Sequence, residues 1–230
     1  VSVEALLRWQ HRDKGFIPPG EFIPLAEQSQ LIGPIGTWVL RQACSDLRAW
    51  QDAGIEVLPV SVNLSLAQFQ LASIPDIVQQ ALTDFGIEPH YLVLEITESV
   101  FEGHSERLRS DLMALSGMGV QLALDDFGTG YSSLGHLHDY PFDEIKIDKT
   151  FIWQLDQGGY GQAIVRAVDA IAQAIKARVV AEGVESAEHV EILNGLGCQT
   201  GQGFYYHRPM PEVQWRQLLT KVDTGDGDRT

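Results

Sequence analysis

The sequence predicts an α/β fold, a modified (β/α)8 barrel of the TIM type, on three observations. Short β-branched runs alternate with amphipathic helical segments along the chain, which is the pattern of a parallel sheet covered by helices. No run is followed by the GxGxxG turn that an open dinucleotide-binding sheet places before its first helix. Finally, polar or charged residues stand in or just after each apolar run, as a barrel with its functional groups at strand carboxyl ends requires.

The strand-like runs are Val3–Leu7, Pro59–Asn63, Tyr91–Ile96, Val120–Asp126, Glu144–Asp148, Ala177–Gly183 and Cys198–Phe204. Between them lie helical segments. Ile35–Ala53 carries Ile35, Val39, Cys44, Leu47 and Trp50 on or near one stripe, and Gly54 is placed to end it. Ser73–Phe85, Ser105–Ser116, Gln162–Ile175 and Ser186–Leu193 read the same way. Seven strands are visible where the barrel has eight. Val3 already lies inside a strand, so the chain is expected to start within the fold, without its first strand. The segment Asp223–Thr230, DTGDGDRT, reads as a disordered tail after a single domain over 1–222.

Composition narrows the function. Hydrophobic residues make up 44% and charged residues 20%, which suits a soluble globular protein. Sixteen basic against thirty-one acidic residues give a net charge of -15, which disfavours nucleic-acid polymers and contact with anionic membranes. No apolar run approaches the roughly 18 residues of a membrane span, and no secretory signal is visible. Cys44 and Cys198 make no disulfide framework, so a reducing cytoplasm is expected.

In a barrel, Glu4, Glu95, Asp125, Asp126 and Glu182 converge at one mouth. Crowded carboxylates raise the cost of each other's ionisation, and a divalent cation resolves the conflict. Oxygen ligands, with the Asn63 amide among them, suit Mg²⁺ or Mn²⁺ rather than Zn²⁺. Strand alternation sends Asp125 and Asp126 to opposite faces unless the chain turns there, and Gly128 and Gly130 supply the freedom to turn. Asp125 then bridges two cations about 4 Å apart while Asp126 holds one, an arrangement suited to attack of water on a phosphodiester. Lys146, in IKID, points inward and stabilises charge on a phosphate or holds an activated water. Taken singly, each of these residues has a plainer explanation. Asp148 and Glu185 fit helix caps or loop residues, Lys146 a structural ion pair, Asn63 a turn, and Tyr205 and Tyr206 packing. Acids in inward register on so many strands are not explained by independent caps, and a metal-dependent hydrolase or lyase of an anionic substrate follows.

These same residues sit in motifs that resemble the EAL family, bacterial phosphodiesterases of the second messenger cyclic di-GMP. EALLRW at Glu4–Trp9, SVNLS at Ser61–Ser65, LEITES at Leu94–Ser99 and DDFGTGYSSL at Asp125–Leu134 occur in the family's order. IKID at Ile145–Asp148, AEGVE at Ala181–Glu185 and QGF at Gln202–Phe204 follow, and FIPLAE at Phe22–Glu27 and IGTWVLRQAC at Ile35–Cys44 are also similar. The resemblance implies hydrolysis of cyclic di-GMP to linear pGpG with two Mg²⁺ or Mn²⁺ ions, inhibited by Ca²⁺. It implies Glu4, Asn63, Glu95 and Asp125 on one cation, Asp125 and Asp126 on the second, and Glu182 beside them. Lys146 and Gln202 would position or activate the water, with Glu182 counted among the catalytic groups. Leu6, Arg8, Asn63, Gln202 and Pro209 would contact substrate, and Glu98, Gly128 and Ser132 would anchor the loop after the Asp pair. It further implies a homodimer and a sensor or GGDEF domain upstream. Gln199 departs from the acid usual after the Cys, and AEQSQLI at Ala26–Ile32 from the usual AEETGLI. A receptor that binds the dinucleotide without turnover, the rival reading, ordinarily lacks a ligand or loop acid, and all are present. An interaction module would need an eroded mouth.

Overall fold

The computed structural model describes residues 2–101, 106–130, 137–157 and 159–223. The chain begins with β1 (Val3–Ala5), an antiparallel hairpin of β2 (Trp9–His11) and β3 (Gly15–Ile17), then α1 (Pro19–Gln28) and α2 (Ile32–Asp52). There follow β4 (Val60–Leu64), α3 (Leu66–Leu71), α4 (Ile74–Phe85), β5 (Leu92–Thr97), α5 (Glu106–Met118) and β6 (Gln121–Phe127). The last part holds β7 (Glu144–Ile147), α6 (Lys149–Ile152), α7 (Gly159–Ile175), β8 (Arg178–Glu182), α8 (Ala187–Gly195), β9 (Gly201–Gln202) and α9 (Glu212–Asp223).

Seven strands form one all-parallel sheet in the order β1-β4-β5-β6-β7-β8-β9, so all seven expected strands are present. Among the described residues no ladder joins β9 to β1. The sheet nevertheless curls until its two edge strands meet through side chains: Gln202 Nε2 donates to Glu4 Oε2 at 2.6 Å. This is the barrel expected from the sequence, with a seam between its first and last visible strands.

Strand alternation divides the sheet into two faces. One face carries Val60, Val62 and Leu64, Leu92, Leu94 and Ile96, Leu122 and Leu124, and Ile145 and Ile147; these join Leu40, Leu47, Leu112, Leu115 and Val165 of the helices in the core. The other face carries Asn63, Glu95, Asp125, Lys146 and Glu182 toward the carboxyl ends of the strands. Below them, Glu144 opens β7 at 7% exposure, and Arg178 Nη2 reaches its Oε2 at 3.4 Å and Gln121 Oε1 at 2.7 Å. That pair closes the floor opposite the mouth.

Several local expectations need correction. The first strand ends at Ala5 rather than Leu7, and the last is only Gly201–Gln202, the lengths over which each pairs with its neighbour. Helix α2 starts at Ile32, and its buried stripe is Ile32, Gly36, Leu40, Ala43, Cys44, Leu47 and Trp50; Ile35 and Val39 are only half-buried. The stripe runs through Gly36 because a Cβ there would lie 1.8 Å from Gln68 Nε2, a contact that hydrophobicity does not mark. Asp223 closes α9 rather than opening a tail. The rest of the tail, 224–230, and Ser132 lie outside the described residues.

Candidate active site

All seven parallel strands deliver groups to the mouth. On β1, Glu4 accepts from Asn63 Nδ2 of β4 at 2.8 Å through Oε1 and from Gln202 Nε2 of β9 through Oε2, so the first strand is tied to both sides of the mouth. Asn63 stands opposite Glu95 in the β4–β5 register. On β7, Lys146 is 1% exposed, and its Nζ lies 2.9 Å from Glu95 Oε2, 3.3 Å from Asp125 Oδ1 and 2.7 Å from Glu182 Oε1. One ammonium thus gathers acids from β5, β6 and β8.

The adjacent Asp pair is explained by a β-bulge. Leu124 pairs with Ile145 and Phe127 with Ile147, so Asp125 and Asp126 together oppose the single residue Lys146. The extra residue breaks the alternation that would otherwise send Asp126 outward. Asp126 takes φ 54, in the left-handed region that Asp tolerates better than most residues. Its amide donates to Asp125 Oδ1 at 3.0 Å. As a result Asp125, Asp126 and Glu182 each offer an oxygen within 4.8 Å of the others. Beyond the bulge, Glu98 Oε2 accepts from the amides of Gly128 at 3.2 Å and Gly130 at 3.1 Å. The second oxygen, Oε1, is buried and meets no hydrogen-bond partner among the described residues.

Electrostatics follow from burial among like charges. Burial pushes the Glu95 carboxyl up to about 8 against the pull of Lys146, with Glu4 and Asp125 adding to the rise. Glu182 is raised to about 7, again first by burial, opposed by Lys146 and reinforced by Asp125. Asp126 is raised by burial and then by Asp125 and Asp148. Burial alone would lower Lys146, but Glu95, Asp125, Glu182 and Glu4 outweigh it and hold the ammonium above its ordinary range. The cluster is therefore a set of carboxylates short of positive charge, with Lys146 protonated at its centre. Its donors are oxygens, and their convergence fits a hard divalent cation.

The remaining expected residues lie at the rim. Leu6, Arg8 and Pro209 are exposed, and Arg8 Nη1 donates to the Leu7 carbonyl at 2.9 Å. Asp148 accepts from the Thr150 amide at 2.9 Å and caps α6, as its plainer reading expects. In α8 the cap is Ser186 rather than Glu185. A groove of about 300 Å³ between the hairpin and α1, lined by Trp9, His11, Phe16, Phe22 and Leu25, gathers no comparable set of acids. Sequence reasoning missed Phe151, whose ring lies against Gly128; a buried aromatic five positions after Lys146 carries no motif signal of its own.

The family model described as the EAL domain matches residues 1–209. MucR of Pseudomonas aeruginosa, named a bifunctional diguanylate cyclase/cyclic di-GMP phosphodiesterase, is 46% identical over 222 residues, covering 96% of this chain and 32% of the relative. PdeR of Escherichia coli, named a cyclic di-GMP phosphodiesterase, is 41% identical over 216 residues, covering 94% of this chain and 32% of the relative. The chain therefore spans about a third of each curated relative. Among solved structures, that of the Pseudomonas aeruginosa MucR phosphodiesterase in complex with c-di-GMP superposes with a TM-score of 0.87 at 46% identity, over 93% of this chain and 87% of that one. With the ordered motifs, the curled parallel sheet and a family match over nearly its whole length, this chain belongs to the EAL domain family.

Proposed function

We propose that this domain hydrolyses cyclic di-GMP to linear pGpG with two Mg²⁺ or Mn²⁺ ions. The observation that carries the reading is the convergence of Asp125, Asp126 and Glu182 around the buried Lys146, with Glu4 and Asn63 tied to the same mouth. Family membership and the names of the relatives support the substrate.

In this reading Glu4, Asn63, Glu95 and Asp125 would hold one cation, and Asp125 with Asp126 would hold the second. The cations, when bound, supply Lewis acidity toward the phosphate and the attacking water. Lys146, held as an ammonium, orients that water by donation and offsets charge that builds on the phosphate. Glu182 accepts from Lys146 and fixes its direction; with a carboxyl raised to about 7, it is also the group suited to take up the water's proton. Gln202 holds Glu4 in place through its amide. Arg8 binds a substrate phosphate, and Leu6 and Pro209 form apolar walls of the substrate cleft. Glu98, through the amides of Gly128 and Gly130, anchors the backbone that follows Asp126. Ca²⁺ is expected to inhibit, because ligand distances of about 2.3–2.6 Å instead of about 2.0–2.1 Å would spread the Asp pair. The parent protein is proposed to be a cytoplasmic homodimer with a sensor or GGDEF domain upstream.

The test is hydrolysis of cyclic di-GMP by the purified chain with Mg²⁺, Mn²⁺, Ca²⁺ or chelator, with pGpG followed by chromatography. Metal-dependent pGpG suppressed by Ca²⁺ is the expected result. Tight binding of cyclic di-GMP by the folded chain with no turnover under Mg²⁺ or Mn²⁺ would overturn the reading.

A further inference from the structure

Asp126 is turned by a bulge that sits beside the point where the backbone leaves the sheet, one paired residue before Gly128. Asp125 pairs with Thr97 of β5, whereas Asp126 is the bulged residue at φ 54; Phe127, opposite Ile147, is the last paired residue, and Gly128 at φ +98 follows it directly. The Gly128 peptide is gripped from two sides. On one side its amide donates to Glu98 Oε2 at 3.2 Å. On the other lies an aromatic wall: a Cβ on Gly128 would stand 2.8 Å from Cε2 and 3.1 Å from Cζ of Phe151. The backbone is flush with the ring, and only a residue without a side chain fits there.

Phe151 is itself held firmly. It is 8% exposed and belongs to α6, which Asp148 caps directly after β7. Its carbonyl packs against the start of α7, where a Cβ on Gly161 would come within 2.6 Å of it. The Tyr160 ring stands 6.4 Å away, centroid to centroid. The segment that sends Lys146 into the barrel therefore also places Phe151 behind the loop, and both Asp side chains are referred to the same short stretch of chain.

We propose that Phe151 is a positioning residue for the second cation, its ring being the wall that keeps Gly128 in place and so turns Asp126 into the carboxylate cluster. The inference rests on the two-cation reading above. It requires that loss of the wall weaken the second cation while leaving the first, whose ligands stand on β1, β4, β5 and β6.

The test is Mn²⁺ titration followed by electron paramagnetic resonance, which separates isolated Mn²⁺ from a spin-coupled pair. Wild type is expected to develop the coupled-pair spectrum. In Phe151→Leu, which keeps an apolar side chain in the core, the pair should appear only at about 10-fold higher Mn²⁺ or more, with uptake of the first ion unchanged, by analogy with residues that orient metal ligands. Phe151→Tyr keeps the ring and should restore the wild-type titration. Gly128→Ala, a change outside the core that drives the peptide off the ring, should reproduce the loss even if the Leu variant does not fold. A coupled pair at wild-type Mn²⁺ concentration in folded Phe151→Leu, or in Gly128→Ala, overturns the inference alone. A wild type that takes up a single Mn²⁺ overturns the two-cation reading as well.

Discussion

Replacing Lys146 by Met removes the one positive charge shared by Glu95, Asp125 and Glu182 and leaves the hydrocarbon volume nearly unchanged. The three contacts span 2.7–3.3 Å, and the side chains of Lys146 and Glu95 are each 2% exposed, so little solvent replaces the lost partner. Breaking a buried ion pair from one side destabilises by about 3–5 kcal/mol. For 230 residues, an unfolding entropy of about 2.1 cal/mol/K per residue gives roughly 480 cal/mol/K, so each kcal/mol is worth about 2 °C. In chelator at pH 8 the melting temperature should fall by about 6–10 °C. At pH 5 the fall should shrink, because the Glu95 and Glu182 carboxyls, already raised to about 8 and about 7, take up protons and no longer need a counter-charge. Saturating Mn²⁺ should likewise recover much of the loss at pH 8. Differential scanning calorimetry of both proteins at both pH values reads this directly. An equal loss at pH 5 and pH 8 would mean that Lys146 acts by packing rather than by charge, and no loss at either would mean that it does not stabilise the fold; both would refute the reasoning.

Other expectations follow from the same geometry. The folded-state pKa values of Glu95 and Glu182 lie above their ordinary value of 4.5, so the folded chain binds more protons between those limits. Their contribution is complete below pH 4.5 and is lost as pH rises through 7 to 8; melting of wild type in chelator should decline over that interval, and Mn²⁺ should flatten the decline. Glu98→Ala removes the acceptor of the Gly128 and Gly130 amides, at about 0.5–1.5 kcal/mol for each part-buried hydrogen bond lost. Hydrogen exchange at those two amides should accelerate and Mn²⁺ affinity should fall. Gly203→Ala would place a Cβ 2.2 Å from the Val184 carbonyl oxygen. Overpacking of this kind costs about 1–3 kcal/mol. Thermal melting should register that loss, and turnover should drop as Gln202 leaves Glu4.

What the sequence made legible was whatever depended on local pattern. Leu92–Thr97 and Glu144–Ile147 were found because alternating apolar residues mark a strand and also reveal the acid or Lys that interrupts them. The inward register of Glu95 and Lys146 followed from counting in twos. What stayed hidden depended on neighbours distant in sequence. The bulge that turns Asp126 inward exists only in the pairing of β6 with β7, and Gly128 and Gly130 signalled a turn without giving its place. The true phase of α2 depends on Gln68 filling the space over Gly36, thirty-two positions away. Helix α1 does not stand out in the sequence because Pro19 and Pro24 interrupt its pattern, although Pro19 occupies the first turn, where the missing amide is no loss. The hairpin of β2 and β3 was missed because strands of three residues carry too short a pattern. Phe151 gave no sign, since its role lies in what it touches.

The central claim is that the carboxylates gathered around Lys146 hold a pair of catalytic cations. Anomalous diffraction from Mn²⁺-loaded crystals of this chain with cyclic di-GMP tests it most directly. Two Mn²⁺ peaks about 4 Å apart are expected, with Asp125 between them, Glu4, Asn63 and Glu95 on one and Asp126 on the other. A single peak away from Asp125, with Lys146 still paired to Glu95, Asp125 and Glu182, would contradict the account.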